Sequence, residues 1–432
     1  MQKFLKICAV VLALPVVLVG CKISSINYFP PHPANVRVAN VIPDVTAINV
    51  DVGGTPAWSG LPFQSLTPYQ SYNNTTTVFT VTAVGGTSPL IQATYPLAGE
   101  QSYTLVTFGI ADAPGVLMMQ DTSVSPGNGK FQVIVANAAI GLNTGAVDVY
   151  FTAPGTSLDD VTPTFFDVVY GGTGVVGTFS SGTYSMRVTP TGTKTLIYDS
   201  GPRTFGDNTE TDVIIYTKGS AHLVNVAMLD INSGGQSVIA NNIISDVKVV
   251  NAAPQTGSID MLLDGVPSLS TVGYLAASPY AGVLAGARTV TFEATATPGA
   301  VIASLAQTLL PATDQSIFLM GFSGALKAVP LVDNNLPPLS GNVRLRFVNA
   351  SPDAPPLDML INATKPFTGV ASATASGYVQ LPAGTVTLSF ADSATGTVVL
   401  TLPNVVLTAG QTSTVYVMGP VAGLGGLVTP DT

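Results

Sequence analysis

The sequence has few of the residues that usually carry chemistry. Among 432 residues there are 2 cysteines, 2 histidines and 1 tryptophan. Both cysteines, Cys8 and Cys21, lie near the N-terminus, which excludes a disulfide framework for the body of the chain. His32 and His222 have no Cys, Asp or second His at the spacing of a zinc site, and no G-x-S-x-G elbow accompanies them. We therefore expect no catalytic residues, no metal and no cofactor, and predict that the protein is not an enzyme.

Charge is also scarce, because charged residues make up 9% of the chain and the formal net charge is -9. There is no Lys/Arg cluster, so the basic footprint that phosphate binding requires is missing. Nucleic acid is therefore excluded as a partner. No segment has the pattern of a long amphipathic helix. The 43 glycines and 32 prolines, with 46% apolar residues, favour many short strands joined by turns.

The N-terminus has the pattern of an export signal. Lys3 and Lys6 form a positively charged start, and the apolar stretch "ICAVVLALPVVLV" that follows is too short to span a bilayer comfortably. The pattern predicts a signal peptide over residues 1–20. An ordinary signal peptide, or an uncleaved anchor followed by an incidental Cys, is the alternative.

The end of that stretch, "LVGC", resembles the bacterial lipobox. The resemblance implies cleavage before Cys21 and lipidation of its sulfur, with a spacer over residues 21–35 and a membrane attached through the lipid anchor. A lone thiol at this boundary fits that interpretation, since an exposed free cysteine would be reactive outside the cytoplasm. Lys22, rather than Asp, follows the cysteine, which by the enterobacterial sorting rule implies the outer membrane, on its periplasmic or surface-exposed side.

One pattern recurs four times along the chain. It begins "VRVANVIPDV", "VIVANAAIGL", "VKVVNAAPQT" and "LRFVNASPDA", and each copy has an apolar run ending in Asn, a turn, and then Asp or Asn between apolar residues. Strands this short, with turns every eight to twelve residues, are typical of an all-β sandwich. We predict four immunoglobulin-like or Greek-key β-sandwich modules, the second of them divergent, over residues 36–122, 130–235, 245–333 and 341–432.

The stretch "FVNASPDAPPLDM" could be either a functional site or a structural turn. Asp353 and Asp358 beside Asn349 are compatible with calcium binding or acid/base chemistry, but Asp353 corresponds to Gln255 in the third copy. A catalytic carboxylate is not exchanged so freely between copies, so the pattern favours a structural turn. The Asn is expected to bond the backbone two residues on.

A cation precedes that Asn by three residues in three copies, as Arg37, Lys248 and Arg346. With the period of two of a strand, these side chains should face outward. The hypothesis is an exposed cross-strand ion pair with Asp260 or Asp358 of the same module, contributing a fraction of a kcal/mol.

Two further groups leave alternatives open. The acidic segments 157–160 and 207–212 could supply oxygen ligands to calcium, although neither has the spaced calcium-loop pattern and solvated loop carboxylates are the default. Trp58, with Tyr69 and Tyr72 nearby, could form a sugar-binding platform, or could pack in a core.

The fourth copy, "VRLRFVNASPDAPPLDMLINA", with weaker echoes at 36–54 and 247–265, resembles the opening strands of the domain of unknown function 4397 family. The second copy departs from the pattern, since "NAAIGLNTGAVDV" lacks the Pro-Asp and has two extra residues. The resemblance implies exported or surface-attached bacterial proteins with tandem β-sandwich domains. It implies no activity and no site residues.

Together these features favour a non-enzymatic cell-envelope lipoprotein whose tandem modules act in binding or adhesion to an envelope protein or polysaccharide. A structural or assembly component of the envelope or surface layer is the alternative. A hydrolase in the divergent second module, using Asp160 or Asp212, is the least favoured hypothesis.

Overall fold

The computed structural model describes residues 32–121, 125–141, 145–219, 222–231, 237–362 and 364–431. The predicted signal peptide and the predicted lipidation site, Cys21, lie outside the described residues. Within the described part, eight β-sheets stack as four sandwiches, so the prediction of tandem β-sandwich modules is confirmed. No helix in these ranges is long and apolar enough to cross a membrane.

The first two modules contain nine strands each. The strands of the first module are β1 (Ala34–Asn40), β2 (Ala47–Val52), β3 (Thr55–Pro62), β4 (Ser65–Leu66), β5 (Gln70–Tyr72), β6 (Thr76–Ala83), β7 (Pro89–Pro96), β8 (Ser102–Ile110) and β9 (Ala113–Gln120). Those of the second are β10 (Lys130–Ala138), β11 (Ala146–Thr152), β12 (Phe165–Val169), β13 (Thr173–Ser180), β14 (Gly182–Pro190), β15 (Tyr198–Phe205), β16 (Thr209–Thr217), β17 (Val224–Asp230) and β18 (Val238–Ala240).

The third and fourth modules repeat the same arrangement. The third has β19 (Ile244–Asn251), β20 (Ile259–Leu263), β21 (Val266–Val272), β22 (Ala276–Ala277), β23 (Ala281–Leu284), β24 (Gly286–Ala294), β25 (Val301–Leu309), β26 (Asp314–Met320) and β27 (Lys327–Asp333). The fourth has β28 (Asn342–Ala350), β29 (Leu357–Ile361), β30 (Thr364–Val370), β31 (Thr374–Ala375), β32 (Val379–Pro382), β33 (Gly384–Asp392), β34 (Val398–Leu407), β35 (Thr412–Met418) and β36 (Gly425–Pro430), with a 3-10 turn at Val421–Gly423.

Each module stacks a five-stranded sheet on a four-stranded sheet. In the first module the five-stranded sheet has the order β4-β1-β8-β9, with β5 also on β1, and the four-stranded sheet has the order β3-β2-β6-β7. The first strand of every module runs parallel to a strand near its end: β1 to β8, β10 to β16, β19 to β26 and β28 to β35. Because the opening and closing segments share one sheet, each module is closed on itself.

The strand sequences explain the two kinds of sheet. In β2 of the four-stranded sheet, buried and half-buried residues alternate, as expected when one face packs on the core and the other faces water. By contrast, β26 and β35 are buried at every position. Their second face is therefore covered as well, and it is covered by a neighbouring module.

Candidate functional site

The outer faces of the five-stranded sheets pack against each other in two module pairs. Between the third and fourth modules lies an apolar cluster built from corresponding residues on both sides: Val250, Ala252, Phe318 and Met320 face Val348, Ala350, Tyr416 and Met418. A similar cluster joins the first two modules, and it includes Val106, Phe108, Ile214 and Tyr216. The modules are thus packed together rather than strung on tethers.

A buried network of charges crosses the interface between the third and fourth modules. The Lys248 ammonium lies 2.5 Å from Asp431 Oδ1, and the Arg346 guanidinium lies 2.6 Å from Asp333 Oδ1. Each cation therefore pairs with the carboxylate that ends the other module. All four side chains are at most 3% exposed. The interface is reciprocal, with the same residue positions used on both sides.

Tyrosine and hydroxyl side chains complete the coordination of both carboxylates. Tyr280 donates its hydroxyl hydrogen to Asp333 over 2.6 Å, and Tyr378 donates to Asp431 over 2.8 Å. Burial, and then the nearby carboxylates, raise the pKa of Tyr280 and of Tyr378. The two phenols therefore stay protonated and remain donors.

The hydroxyl groups of Ser316 and Thr414 also donate to these carboxylates, Ser316 to Asp333 and Thr414 to Asp431. Lys248 and Arg346 each lie 4.7 Å from a tyrosine ring, that of Tyr280 and Tyr378 respectively. No carboxylate oxygen in this network depends on water for a partner.

These positions recur at fixed separations, which is the signal that sequence analysis missed. Tyr and Asp are 53 residues apart in the third and fourth modules, and 52 apart in the first, at Tyr69 and Asp121. Aligning the cations alone was not sufficient to find them. A search for a tyrosine followed 52 or 53 residues later by the terminal aspartate would have identified the network.

The interface between the first and second modules is an asymmetric version of the same network. Arg37 lies 3.0 Å from Asp212 Oδ2 and donates to the Asp230 carbonyl oxygen over 2.7 Å. In the first module Arg37 pairs with Thr104 on the neighbouring parallel strand. At the same place in the second module Ile134 pairs with Asp212, so Asp212 corresponds to Thr104. The second module thus has no cation at this position and contributes an acid.

The Arg37 guanidinium therefore forms an ion pair with the buried Asp212, and its charge also acts on the buried Asp121. Asp121 accepts the hydroxyl of Tyr69, and Thr104 donates to Asp212 over 2.7 Å. Burial, together with the charge of Asp121, raises the pKa of Asp212 to about 7, although Arg37 opposes the shift. Burial also raises the pKa of Asp121. This pair of carboxylates therefore binds a proton at a higher pH than exposed aspartates do.

The hypothesis of exposed ion pairs within one module is therefore wrong. Arg37, Lys248 and Arg346 do leave their strands on the outer face, but another module covers that face. Asp260 instead accepts the backbone N–H of Thr271 over 2.7 Å, and Asp358 accepts that of Gly369 over 2.8 Å. The period of two in a strand sequence does not by itself distinguish a face covered by a second module from a face exposed to water.

Asp358 has a structural role within the fourth module. Lys365 and Ser393 donate to its carboxylate and, with the Gly369 N–H, hold the pKa of Asp358 low, at about 2. Gly369 has a φ of 65°, which favours glycine, and its amide sits at a register shift in the pairing of β29 with β30. Asp358 thus fixes a bulge.

Asp353 is part of a turn contact that the first and third modules reproduce. Its Oδ1 accepts the Val421 N–H over 2.7 Å. In the first module Asp44 accepts the Ala111 N–H over 2.9 Å, and in the third the Gln255 side chain accepts the Ser323 N–H over 3.1 Å. Only one acceptor oxygen is needed, so Gln can replace Asp. The prediction of a structural turn is confirmed.

The four turn asparagines are fully buried and behave as predicted. In each, Oδ1 accepts the N–H two residues on, over 3.0 to 3.3 Å in Asn137, Asn40, Asn251 and Asn349. Their amide groups also donate to carbonyl oxygens of the opposite sheet, such as Val370 O for Asn349 at 3.1 Å. Each Asn therefore ties the two sheets of its module together.

The remaining candidate residues are dispersed. Trp58 is 7% exposed and packs in the core of the first module, 5.9 Å from the Tyr72 ring, whereas Tyr69 is at the module interface. His32 lies 3.0 Å from Glu100 at the surface, and the His222 ring lies 5.0 Å from the Tyr280 ring, tilted by 45°. The three aromatic residues do not form one exposed platform.

The acidic segments also remain apart. Asp160 is exposed on its loop, while Asp212 is buried in the interface. Within the described ranges no group of three or more His, Cys, Asp or Glu side chains could hold a metal ion.

Two clefts flank these interfaces, at the junctions between module pairs. One, of about 750 Å³, lies between the second and third modules and is lined in part by Ile197, Asp246 and Tyr280. The other, of about 230 Å³, lies between the first and fourth modules and is lined in part by Asp44 and Arg344. Both are composite, because two modules line each cleft.

The fold and the interfaces define an all-β protein of tandem sandwich modules. The chain belongs to the family described as "Domain of unknown function (DUF4397)", whose model matches residues 34–150, 245–360 and 346–432. Most of the second module lies outside the matched segments, in accord with its divergent interface residues.

Comparison with solved structures gives a family CBM26 carbohydrate-binding module from Eubacterium rectale Amy13K, solved in complex with maltoheptaose. It is 11% identical, with 46% of this chain and 98% of that chain covered, and the TM-score is 0.17. A likeness at this level carries nothing about the ligand of this chain. None of the curated proteins compared with the chain matches it.

Proposed function

We propose that this chain is a non-enzymatic binding protein of the bacterial cell envelope, anchored by lipid at Cys21 in the outer membrane. The observation that supports a binding role is the locking of modules by buried, reciprocal ion pairs at Lys248–Asp431 and Arg346–Asp333. The anchor is supported by the N-terminal sequence alone.

Locked modules favour binding because they hold loops from different modules at fixed separations. A ligand that contacts two modules then meets a preorganised surface, and little conformational entropy is lost on association. The composite clefts beside the interfaces are surfaces of this kind. The proposed ligands are an envelope protein or a polysaccharide.

A structural role in the envelope or surface layer is the second candidate. The packing of the modules against one another favours it, since a chain whose modules are locked together is suited to a load-bearing part. Copies of the chain would then contact one another more than any other partner.

A cross-linked pull-down from intact native membranes separates the two roles. The lipidated chain is compared with Cys21→Ser, which cannot be acylated at that sulfur. One stoichiometric protein, or one polysaccharide, recovered with the anchored chain and lost with Cys21→Ser is the expected result. Recovery of self-contacts alone would support the structural role, and identical membrane retention of Cys21→Ser would contradict the anchor.

A further inference from the structure

The cleft between the second and third modules has mostly apolar walls. Ile197 lies on the side of the second module, and Tyr280, Val283 and Leu284 lie on the side of the third. Leu284 is 57% exposed, although it borders a cavity of about 750 Å³. An opening of this size and character is suited to a small organic molecule.

One carboxylate in this cleft lacks a partner. Asp246, on β19, is 9% exposed, and among the described residues its side chain accepts no hydrogen bond. The charge of Asp314, which is of the same sign, acts on it, and the two residues pair in the register of β19 and β26. A carboxylate so far buried is costly unless it is paired with a donor or a cation.

The strand next to Asp246 leaves the carboxylate open to the cleft. Gly282 pairs with Asp246 across β19 and β23, and a Cβ atom at Gly282 would lie 3.3 Å from Asp246 Oδ1. The backbone of Gly282 is not in the left-handed region, so its conformation does not call for glycine. The missing side chain therefore leaves room above the carboxylate.

The fourth module has a different solution at the corresponding position. In the third module, Asp246 pairs with Gly282 and Asp314 on the two neighbouring strands. In the fourth module Arg344 holds the same position, where it pairs with Gln380 and Thr412. Arg344 donates to the Leu336 carbonyl oxygen over 2.9 Å and lies 5.3 Å from the Tyr378 ring.

The charge of Asp44, from the first module, also acts on Arg344. At that junction the protein satisfies the half-buried charge of Arg344 with its own groups. At Asp246 the described residues supply no such group.

Other charged and titratable groups of the cleft are already engaged. The Lys194 ammonium is bonded to the Val161 carbonyl and lies 4.8 Å from the Tyr150 ring. Asp199 accepts the Gly201 N–H over 2.7 Å, and Tyr280 donates to Asp333. The His222 ring packs against the Tyr280 ring at a tilt of 45°.

We propose that this cleft binds a small organic cation, an ammonium group on an apolar body, with the ammonium on Asp246 and the body on the apolar wall. The geometry favours this class over an inorganic cation because one carboxylate among apolar side chains supplies too few oxygen ligands. The cleft needs neither the lipid anchor nor the envelope partner proposed above.

Burial, and then Asp314, raise the pKa of Asp246 to about 7. An acid with a raised pKa is neutral below that value, so the carboxylate that attracts a cation forms only as the pH rises through about 7. With the ionised fraction near one tenth at pH 6 and nine tenths at pH 8, cation affinity should rise about tenfold between the two. Asp314, Asp199, Lys194, Tyr280 and His222 are the other groups that face this region.

The test is calorimetric titration of the full chain in lipid nanodiscs, with empty nanodiscs as the blank. The probe is 2-phenylethylammonium chloride, compared with the equally shaped 2-phenylethanol, with 3-phenylpropanoate and with methylammonium. We expect the phenylethylammonium ion to bind at least ten times more tightly than the alcohol at pH 8, and the propanoate and methylammonium to bind more weakly still.

Two variants assign the site. Asp246→Asn removes the charge and its repulsion from Asp314, so the chain should fold, and both the preference for the ammonium and the pH dependence should disappear. Gly282→Leu keeps the carboxylate but covers it, and should block binding. Asp264→Asn, which removes a carboxylate of the third module outside the cleft, is the matched control and should bind as the parent chain does.

Equal binding of the ammonium and the alcohol would overturn the proposal. So would the absence of binding at about 10 mM probe, an unchanged affinity in Asp246→Asn, or a pH dependence that persists in that variant. Thermal melting of each variant confirms that it is folded.

Discussion

Replacing Arg346 with Met should destabilise the paired third and fourth modules strongly. The change removes the guanidinium that lies 2.6 Å from Asp333 Oδ1 and leaves this carboxylate buried at 1% exposure with neutral donors only. Removing one partner of a buried ion pair costs about 3–5 kcal/mol, because the remaining charge stays in a poorly solvating environment. The Asp431 carboxylate loses its longer contact with Arg346, at 3.8 Å, but keeps Lys248 at 2.5 Å.

Scanning calorimetry measures the effect. A cooperative unit of about 150–250 residues loses roughly 2–4 °C in melting temperature for each kcal/mol, so the loss should be on the order of 10 °C. Arg288→Met is the matched control, since Arg288 forms a pair of similar length with Asp264 at the surface, with the carboxylate side chain 44% exposed. Exposed pairs contribute about 0–1 kcal/mol, so this variant should melt within a few degrees of the parent.

A double replacement distinguishes the loss of the ion pair from the cost of leaving one charge buried without its partner. Arg346→Met with Asp333→Leu removes both charges, and replacing a buried pair by apolar side chains is often neutral. We expect this chain to recover part of the loss. If Arg346→Met melted no lower than Arg288→Met, the reasoning from a buried interface would be refuted.

Three further predictions follow from individual contacts. The pKa of Asp212 is raised from 3.8 to about 7, so between these values the folded chain binds a proton that the unfolded chain does not, and stability falls as the pH rises through this interval. The fall in melting temperature from pH 5 to pH 8 should therefore be smaller in Asp212→Asn. An equal fall in the variant and the parent would contradict the assignment. Asn349→Ala leaves buried donors and acceptors unpaired, each costing about 1–3 kcal/mol, and should lower the melting temperature where a surface change would not. Asp353→Gln should melt like the parent, because Gln255 makes the same contact, whereas Asp353→Ala should lose about 1 kcal/mol; equal losses would exclude the turn contact.

The modules could be predicted from the sequence because their signals are local. Alternation of apolar residues predicts strands, and an Asn before a turn predicts its own hydrogen bond two residues on, as found at Asn349. Asp353 could be assigned to a turn because its replacement by Gln255 in another copy argues against catalysis.

The interfaces could not be predicted in the same way. Lys248 and Asp431 are 183 residues apart, and nothing local to either residue indicates the other. Periodicity placed Arg346 on the outer face correctly, but the identity of what covers that face depends on how whole modules pack. Only the repeated separation of Tyr280 from Asp333, and of Tyr378 from Asp431, records the interface in the sequence.

The central claim is that cations of one module pair with carboxylates of the next. A double-mutant cycle across the third and fourth modules, with Lys248→Met, Asp431→Asn and the two combined, measures this coupling by denaturant unfolding. Residues in one network show interaction energies of about 0.5–3 kcal/mol, and we predict a value above about 1 kcal/mol. Losses that add to within about 0.3–0.5 kcal/mol would show that the two side chains do not interact and would contradict the locked arrangement of the modules.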